Sequence, residues 1–142
     1  MDQEIQIRKI NTTDKDFINL AAAWYLEEWS IPIERTIQRL STQVKDDVLF
    51  QLGLYKNGKP IATGGLYNNV GLLHEHGKFT KFGPWIALLY TEPDSRNQGC
   101  GQILLQEIEK VSKEISLTKI YLYTFTAEHL YLRKLEHVLH ET

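Results

Sequence analysis

One stretch near the middle of the chain, residues 84–115, places the strongest constraint on the fold. An apolar run from Trp85 to Tyr90 is typical of a buried strand. The turn that follows contains Arg96, Gly99 and Gly101, and a long amphipathic pattern begins directly after it. The sequence therefore predicts a strand, a tight turn and a helix in immediate succession.

The composition of this turn indicates an anion-binding site. Neither glycine has a Cβ atom, so the backbone can approach a ligand closely. The amides from about Asn97 to Gln102 lie at the predicted helix start, where they lack intrahelical acceptors and the helix dipole adds partial positive charge. Arg96 adds a permanent, forked cation that suits phosphate oxygens. The expected ligand is a phosphate or a pyrophosphate.

Two common phosphate-binding turns fit these residues poorly. A P-loop requires a lysine after its last glycine, and no lysine follows Gly99 or Gly101. A dinucleotide-binding turn requires a third glycine, where this chain has Leu104. The next predicted strand also ends, at residues 124–126, without the acid that binds a ribose. The P-loop is therefore excluded and the dinucleotide turn is disfavoured.

A third pattern, RxxGxG, stands at residues 96–101, preceded by Glu92 and Pro93 and by an apolar strand. It resembles the coenzyme A pyrophosphate loop of the GNAT superfamily of acyl-CoA N-acyltransferases, with Thr91 in place of the usual valine. The alternative is a tight turn that binds no ligand. The order of the predicted elements, β-α-α-β-β-β-α-β-α, is also that of the family, so the resemblance covers nearly the whole chain.

The hydrophobic spacing predicts these elements along the chain. Alternating or β-rich runs indicate strands, and apolar spacing of three to four residues indicates helices. The pair Asn57-Gly58 indicates the turn of a hairpin, and Gly64 and Gly65 indicate a bulge or a close backbone approach. The predicted strands are 4–10, 48–55, 61–67, 85–90 and 119–125. The predicted helices are one that follows N-cap candidates at 11–14 and continues to about Trp29, one from Ile33 to about Val44, the one that follows Gly101, and a last one from Thr126.

The resemblance implies a single α/β (α+β) domain over residues 1–142, with a mixed, mostly antiparallel central sheet and helices on both faces. Its two middle parallel strands are expected to splay apart. Acetyl-CoA is the implied cosubstrate, with its pantetheine arm in the opening between those strands and its pyrophosphate on the turn. The implied contacts are Leu89, Tyr90 and Thr91 for the arm, and Arg96, Asn97, Gln98, Gly99, Cys100, Gly101 and Gln102 for the pyrophosphate.

The same resemblance implies a catalytic role for Tyr131 and leaves the general base unassigned. The family often has a tyrosine early in the last helix that protonates the departing thiolate, and Tyr131, four residues after Ala127, resembles it. No acid occurs in residues 85–91, where several relatives carry a glutamate. Glu27 and Glu28, at the end of the first helix, are therefore the candidates for a general base. The alternatives are packing of Tyr131 under the sheet and a solvated helix face.

Three aromatic residues are candidates for the walls of the acceptor pocket. Trp24, Trp29 and Tyr67 offer faces that suit cations and flat groups, although core packing is the more frequent role of such residues. The helix start could also lower the pKa of Cys100. Because no base for a covalent mechanism is evident nearby, we interpret Cys100 as a loop residue whose backbone binds the ligand.

The composition excludes several classes of function. The chain has 142 residues and a net charge of −2, which disfavours nucleic-acid binding. Its single cysteine excludes an intrachain disulfide and indicates a reducing, cytoplasmic setting. No apolar run approaches the roughly 18 residues of a membrane span. His74 and His76, in the polar connection 68–83, lack further ligands, so no metal is expected.

The end of the sequence departs from the family pattern. Relatives continue after the last helix with a Gly-aromatic pair and two antiparallel strands, whereas Glu136 and His137 stand at those positions and the sequence ends at Thr142. The alternatives are that a partner chain completes the sheet, that its edge stays exposed, or that the last residues rearrange. An exposed edge favours a homodimer.

Two functions are therefore open. The leading one is an N-acetyltransferase that moves the acetyl group of acetyl-CoA to a primary amine, on a small-molecule or peptide acceptor, by direct attack in a ternary complex. The alternative is a non-catalytic acyl-CoA-binding sensor or partner module. The sequence does not identify the acceptor.

Overall fold

The computed structural model describes the backbone of residues 4–68, 83–126 and 129–136, and the side chains of residues 4–68 and 83–122. The strands and helices follow the predicted order up to the last element. The elements are β1 (Ile5–Lys9), α1 (Lys15–Trp29), α2 (Ile33–Thr42), β2 (Val48–Lys56), β3 (Lys59–Tyr67), β4 (Trp85–Thr91), α3 (Cys100–Glu114), β5 (Lys119–Thr126) and β6 (His129–Glu136).

These strands form one six-stranded sheet in which they lie in sequence order. Every neighbouring pair is antiparallel except β4 and β5, which run parallel because α3 carries the chain back between them. The predicted fold class is confirmed: the sheet is mixed and mostly antiparallel, with the parallel pair in its interior.

Helices cover both faces of the sheet. Residues at positions 104, 108 and 111 of α3 recur at helical spacing, so they form one apolar stripe against the sheet. The opposite face is covered by α1 and α2. The first core contains Phe50, Leu52, Leu54, Ile86, Leu104, Ile108 and Ile120, and the second contains Phe17, Ile18, Ala21, Tyr25, Leu40, Tyr55 and Tyr90.

The β2–β3 hairpin forms as predicted. Asn57 and Gly58 have φ angles of 54° and 82°, the left-handed pair that a two-residue hairpin turn requires. Pairing continues from Lys56↔Lys59 to Val48↔Tyr67. This long hairpin supplies the centre of the sheet, against which β4 pairs.

The last element differs from the sequence-based prediction. The predicted helix from Thr126 is wrong, because β6 pairs with all of β5, from Lys119↔Glu136 to Thr126↔His129. Apolar residues at positions 130, 132 and 135 fit either a helix or a strand, so their spacing alone does not decide. Pairing favours the strand, because the backbone groups along the edge of β5 gain hydrogen-bond partners.

Candidate active site

The turn between β4 and α3 is built from short local hydrogen bonds. Residues Pro93–Ser95 form one turn of 3-10 helix. Ser95 donates its amide to Glu92 O at 2.9 Å and its hydroxyl to Glu92 Oε2 at 2.7 Å. Asn97 and Gly99 then adopt left-handed φ angles of 65° and 85°. This reversal allows α3 to begin at Cys100.

The backbone amides of this turn form a cluster of free donors. The first hydrogen bond of α3 runs from Ile103 N to Gly99 O, at 3.0 Å. Within the part of the chain that the structure describes, the amides of residues 97–102 have no acceptor. A Cβ atom added at Gly99 or Gly101 would meet nothing within 4 Å. The donors therefore border open space, which is the arrangement that an anion requires. We call residues 97–102 the amide cluster.

An opening lies between β4 and β5, next to the amide cluster. The two strands pair at a single position, Trp85↔Tyr121, and Tyr121 N donates to Pro84 O at 2.9 Å. The rest of β4, from Ile86 to Thr91, has no ladder partner on β5 in the described chain. The predicted splay of the parallel pair is therefore present, and it leaves one edge of β4 available.

A bulge interrupts the pairing of β4 with β3, on the other edge of the strand. The register with β3 shifts between Thr63 and Gly65, so that Leu88 and Leu89 together lie opposite Gly64. Leu88 has a φ angle of 58°, a conformation that costs a non-glycine residue on the order of 1–3 kcal/mol. A Cβ atom at Gly64 would lie 2.5 Å from Leu89 Cδ2, so a larger residue there would force the Leu89 side chain to move. The predicted bulge is confirmed, with its extra residue on β4.

Arg96 does not extend over the amide cluster. Its Nε donates to Thr91 O at 2.7 Å, and its Nη2 lies 3.3 Å from Glu28 Oε1. The guanidinium carbon also lies 5.3 Å from the centre of the Tyr90 ring. The expectation that Arg96 projects its charge toward phosphate oxygens is thus corrected, because the side chain folds back against β4 and α1. It also occupies the carbonyl of Thr91, one of the groups expected to bind pantetheine.

Aromatic side chains cluster between α1 and β4. Trp24 stacks on Tyr90 with ring centres 5.1 Å apart, and Trp29 meets Tyr90 edge to face at 6.2 Å. Trp29 also lies 5.5 Å from Tyr25. Trp29 is 44% exposed, so it forms the accessible end of the group. We call Trp24, Tyr25, Trp29 and Tyr90 the aromatic cluster.

Tyr67 lies in the interior and not at a pocket wall. Its side chain is 1% exposed, and its hydroxyl donates to Gln51 Oε1 at 2.6 Å. The guanidinium of Arg39 packs over its ring at 4.6 Å. The expectation that Tyr67 contacts an acceptor is corrected, because β3 directs it into the core with Gln51.

The candidate acids lie at the end of α1. Glu28 pairs with Arg96, and both side chains are 41% exposed. Glu27 is also exposed. Burial is the main cause that raises the pKa of Tyr90, the charge of Arg96 lowers it, and the charges of Glu28 and Glu27 raise it. The Tyr90 hydroxyl therefore stays protonated at neutral pH.

Tyr131 lies on β6, opposite Thr124, and not on a helix. The prediction placed Tyr131 early in a last helix, whereas the structure places it on a strand. Its side chain lies outside the described residues. Cys100 is 6% exposed, and its thiol lies 3.7 Å from Ser95 O. The pKa of Cys100 is raised, chiefly by burial, so the expected lowering by the helix start is wrong.

The remaining predictions concern metal binding and membrane spans. Among the described residues, no group of three or more His, Cys, Asp or Glu side chains could hold a metal ion. No described helix is both long and apolar enough to cross a membrane. The predictions for His74 and His76 fall outside the described residues.

The sequence profile of the Acetyltransferase (GNAT) family matches residues 15–136. The chain belongs to this family. The GNAT match begins at the first residue of α1 and ends at the last residue of β6, so it includes the turn, the opening and the aromatic cluster. The family predicted from RxxGxG is confirmed. A search of curated proteins gives no significant match.

Solved structures share the GNAT fold at low sequence identity. An aminoglycoside 6′-N-acetyltransferase complexed with coenzyme A is 14% identical, with TM-score 0.66, and the match covers 87% of this chain and 64% of that one. A GNAT acetyltransferase from Brucella melitensis in complex with acetyl-CoA is 12% identical, with TM-score 0.65, and the match covers 94% and 88%. These identities show the fold alone.

A GCN5-related N-acetyltransferase from Kribbella flavida is a larger GNAT protein. It is 15% identical, with TM-score 0.53, and the match covers 87% of this chain. The chain spans 31% of its length, and 64% of the length of the aminoglycoside enzyme.

Sequence reasoning missed three polar residues close to the bulge. Tyr25, Gln51 and Thr63 are all fully buried, and Tyr25 donates its hydroxyl to Leu88 O at 2.7 Å. Gln51 and Thr63 stand within apolar strands, and a polar residue in such a run is a signal of a buried hydrogen-bond partner. The hydrogen-bond partners are far apart in the sequence, so the polar residues alone do not identify which residues they contact.

Proposed function

We propose that this chain is an acetyl-CoA-dependent N-acetyltransferase that acetylates a primary amine. The observation that carries this proposal is the amide cluster, whose free donors lie beside the unpaired edge of β4. One feature suits a diphosphate and the other suits an amide-containing chain. Coenzyme A contains both groups in one molecule, and family membership supports the same ligand.

The amide cluster supplies the charge-binding part of the proposal. Amides at a helix start, together with the dipole, typically stabilise an anion by about 0.3–1 kcal/mol, and by up to ~2 kcal/mol when partly buried. Residues 97–102 place several such donors around open space at Gly99 and Gly101. We therefore assign the pyrophosphate to backbone groups of residues 97–102, with Arg96 as a brace for the turn.

The opening between β4 and β5 is the proposed site for the pantetheine arm. Pantetheine carries two amide groups, so it can pair with an exposed strand edge as an added strand does. The edge of β4 at Leu89, Tyr90 and Thr91 lies directly before the turn, which places it within reach of the same ligand. The Thr91 carbonyl is held by Arg96, so Leu89 is left as the central contact.

The aromatic cluster supports an acceptor site on the α1 side of β4. Trp29 is exposed and lies against Tyr90, and Trp24 stacks on the same ring. Aromatic faces attract ammonium groups, and the carboxylates of Glu27 and Glu28 lie nearby. We propose that a small-molecule or peptide amine approaches between Trp29 and β4.

The proposed chemistry is a direct transfer. The bound thioester supplies an activated acetyl group, and the neutral amine nitrogen forms a bond to its carbonyl carbon while the carbon–sulfur bond breaks. The amine loses one proton, for which Glu27 or Glu28 is the proposed base. Tyr131 is the proposed donor of a proton to the thiolate that leaves. The products are an amide and a thiol, so atoms and charge balance.

Release of thiol tests the proposal. Purified protein is incubated with acetyl-CoA and a panel of polyamines, aminoglycosides, amino acids and peptides, and free thiol is measured. We expect amine-dependent release with at least one member. If CoA raises the melting temperature but no amine releases thiol, the acyl-CoA-binding module replaces the enzyme. If CoA has no effect on a folded protein, both functions are excluded.

A further inference from the structure

A fully buried set of polar side chains lies beside the bulge of β4. Tyr25, Gln51 and Thr63 are 0% exposed and Tyr67 is 1% exposed. Gln51 is its centre: Nε2 donates to Tyr25 Oη at 3.1 Å and to Thr63 Oγ1 at 2.7 Å, while Oε1 accepts from Tyr67 Oη at 2.6 Å. We call these four residues the Gln51 network.

The hydrogen bonds of this network have only one consistent direction. Both amide hydrogens of Gln51 are donated, so the hydroxyls of Tyr25 and Thr63 act as its acceptors. Each hydroxyl must then donate its own hydrogen elsewhere. Thr63 donates to Leu52 O at 2.7 Å and Tyr25 donates to Leu88 O at 2.7 Å. Burial raises the pKa of Tyr25, so this donor keeps its hydrogen.

The Tyr25 hydroxyl therefore fixes the orientation of one peptide group in β4. Leu88 is the residue with the left-handed φ angle of 58°, and its carbonyl points toward Tyr25, the member of the network that lies on α1. In a trans peptide the carbonyl and the following N–H point in opposite directions. The N–H of Leu89 consequently points away from the Tyr25 hydroxyl.

The alternation of β4 shows at which strand edge the Leu89 N–H lies. Glu92 N donates to Ile61 O, next to β3, at 2.9 Å, so the amides of residues 91 and 89 project from the opposite edge. That edge borders the opening, because within the described parts of the chain β4 and β5 pair only at Trp85↔Tyr121. The side chains agree, since Leu88 packs on the α1 face and Leu89 on the α3 face.

We infer that Tyr25 is a positioning residue, which orients the Leu89 amide toward the thioester through its hydrogen bond to Leu88 O. This inference rests on the proposed function, because it assumes that a CoA thioester lies in the opening. Tyr25 itself contacts neither ligand. Its role is to hold a strained peptide in the orientation in which the Leu89 N–H can donate to a carbonyl oxygen of the acetyl-CoA.

The chain offers a matched pair of variants for the test. Tyr25→Phe and Tyr67→Phe each delete one buried phenolic hydroxyl and each leave one Gln51 group without its partner. Only Tyr25→Phe also frees Leu88 O. A general loss of packing or stability should therefore affect both variants, whereas misorientation of the Leu89 peptide should affect only Tyr25→Phe.

We expect Tyr25→Phe to lower kcat by about 10- to 100-fold, the scale for a displaced catalytic group, with the Kd of CoA changed by less than about twofold. Tyr67→Phe should keep kcat within about threefold at a temperature where both variants are folded. Equal losses of kcat in the two variants, or an unchanged kcat in Tyr25→Phe, overturn the inference.

A second measurement does not depend on turnover or on the folding of a variant. In wild-type protein labelled with 15N-leucine, the Leu89 amide resonance should shift more on addition of acetyl-CoA than on addition of CoA. Binding of acetyl-CoA without that difference overturns the role of Leu89 and Tyr25 while the proposed function stands. Absence of binding by either compound contradicts the proposed function, and this inference with it.

Discussion

Arg96 and Glu28 form an ion pair between the turn and the first helix, with Nη2 of the arginine 3.3 Å from Oε1 of the glutamate. Arg96 belongs to the turn before α3, and Glu28 stands one residue before the end of α1. The guanidinium also lies over Tyr90 and binds Thr91 O. A residue expected to bind phosphate thus holds the end of α1 against β4.

This ion pair distinguishes the two candidate bases, Glu27 and Glu28. The Oε1 atom of Glu28 is already engaged by Arg96, whereas Glu27 has no ion-pair partner among the described residues. We expect Glu27→Gln to lower kcat more than Glu28→Gln does, measured by thiol release across pH. Because the pair is 41% exposed on each side, Glu28→Gln should change the free energy of unfolding by less than about 1 kcal/mol. A larger kcat loss in Glu28→Gln contradicts this assignment.

Trp29 should contribute to acceptor binding and little to stability. Its side chain is 44% exposed at the open end of the aromatic cluster. We expect Trp29→Ala to raise the KM of the acceptor about tenfold or more, which corresponds to ~1.4 kcal/mol, with the Kd of CoA unchanged. Leu26→Ala is the control, because Leu26 is 43% exposed on the same helix. An equal KM in Trp29→Ala and wild type removes the acceptor site from this surface.

Tyr131 should be tested by removal of its hydroxyl. It lies on β6, opposite Thr124. If it protonates the leaving thiolate, Tyr131→Phe should lower kcat by about 10²- to 10⁴-fold while the Kd of acetyl-CoA is preserved. Tyr123→Phe, on the neighbouring strand β5, is the control. A turnover equal to that of the control variant leaves Tyr131 without a catalytic role.

The buried tyrosines predict loss of stability at high pH. Burial raises the pKa of Tyr25 and Tyr67 above the ordinary value of 10.0. The folded protein then keeps protons that the unfolded chain loses, so stability is full below about pH 10 and falls above it. The expected slope is about 1.4 kcal/mol per pH unit for each buried tyrosine. Urea unfolding of wild type and Tyr67→Phe measures it, and the variant should lose stability less steeply. Parallel curves contradict the assignment.

The sequence predicts local features well because their causes are local. The Asn57-Gly58 hairpin, the turn at Gly99 and the start of α3 depend on neighbouring residues, and all three are present. Trp24 and Trp29 lie about 140° apart around α1, so helical spacing does not place them together. Tertiary packing against Tyr90 brings both rings into one cluster. Helical spacing predicts α1, whereas the position of β4 in the sheet determines which side chains α1 contacts.

The features that the sequence does not predict depend on distant partners. Residues of β6 have a spacing that fits a helix, and pairing with β5 decides their conformation. Arg96 is directed by Glu28, which lies 68 residues earlier in the chain. The bond between Tyr25 and Leu88 spans 63 residues. No local pattern contains such pairs, so the Gln51 network and the orientation of Arg96 required the structure.

Calorimetric titration of CoA and acetyl-CoA tests the central claim most directly, with wild type compared to Gly101→Val and Gln106→Val. Gly101 borders open space, so valine should fill the place of the diphosphate without a clash in the protein. Gln106 is an exposed position of the same helix, so its variant controls for a β-branched residue in α3. We expect wild type and Gln106→Val to bind both compounds, and Gly101→Val to bind at least about tenfold more weakly. No heat from folded wild type, or equal affinity in all three proteins, contradicts the claim that the amide cluster binds CoA.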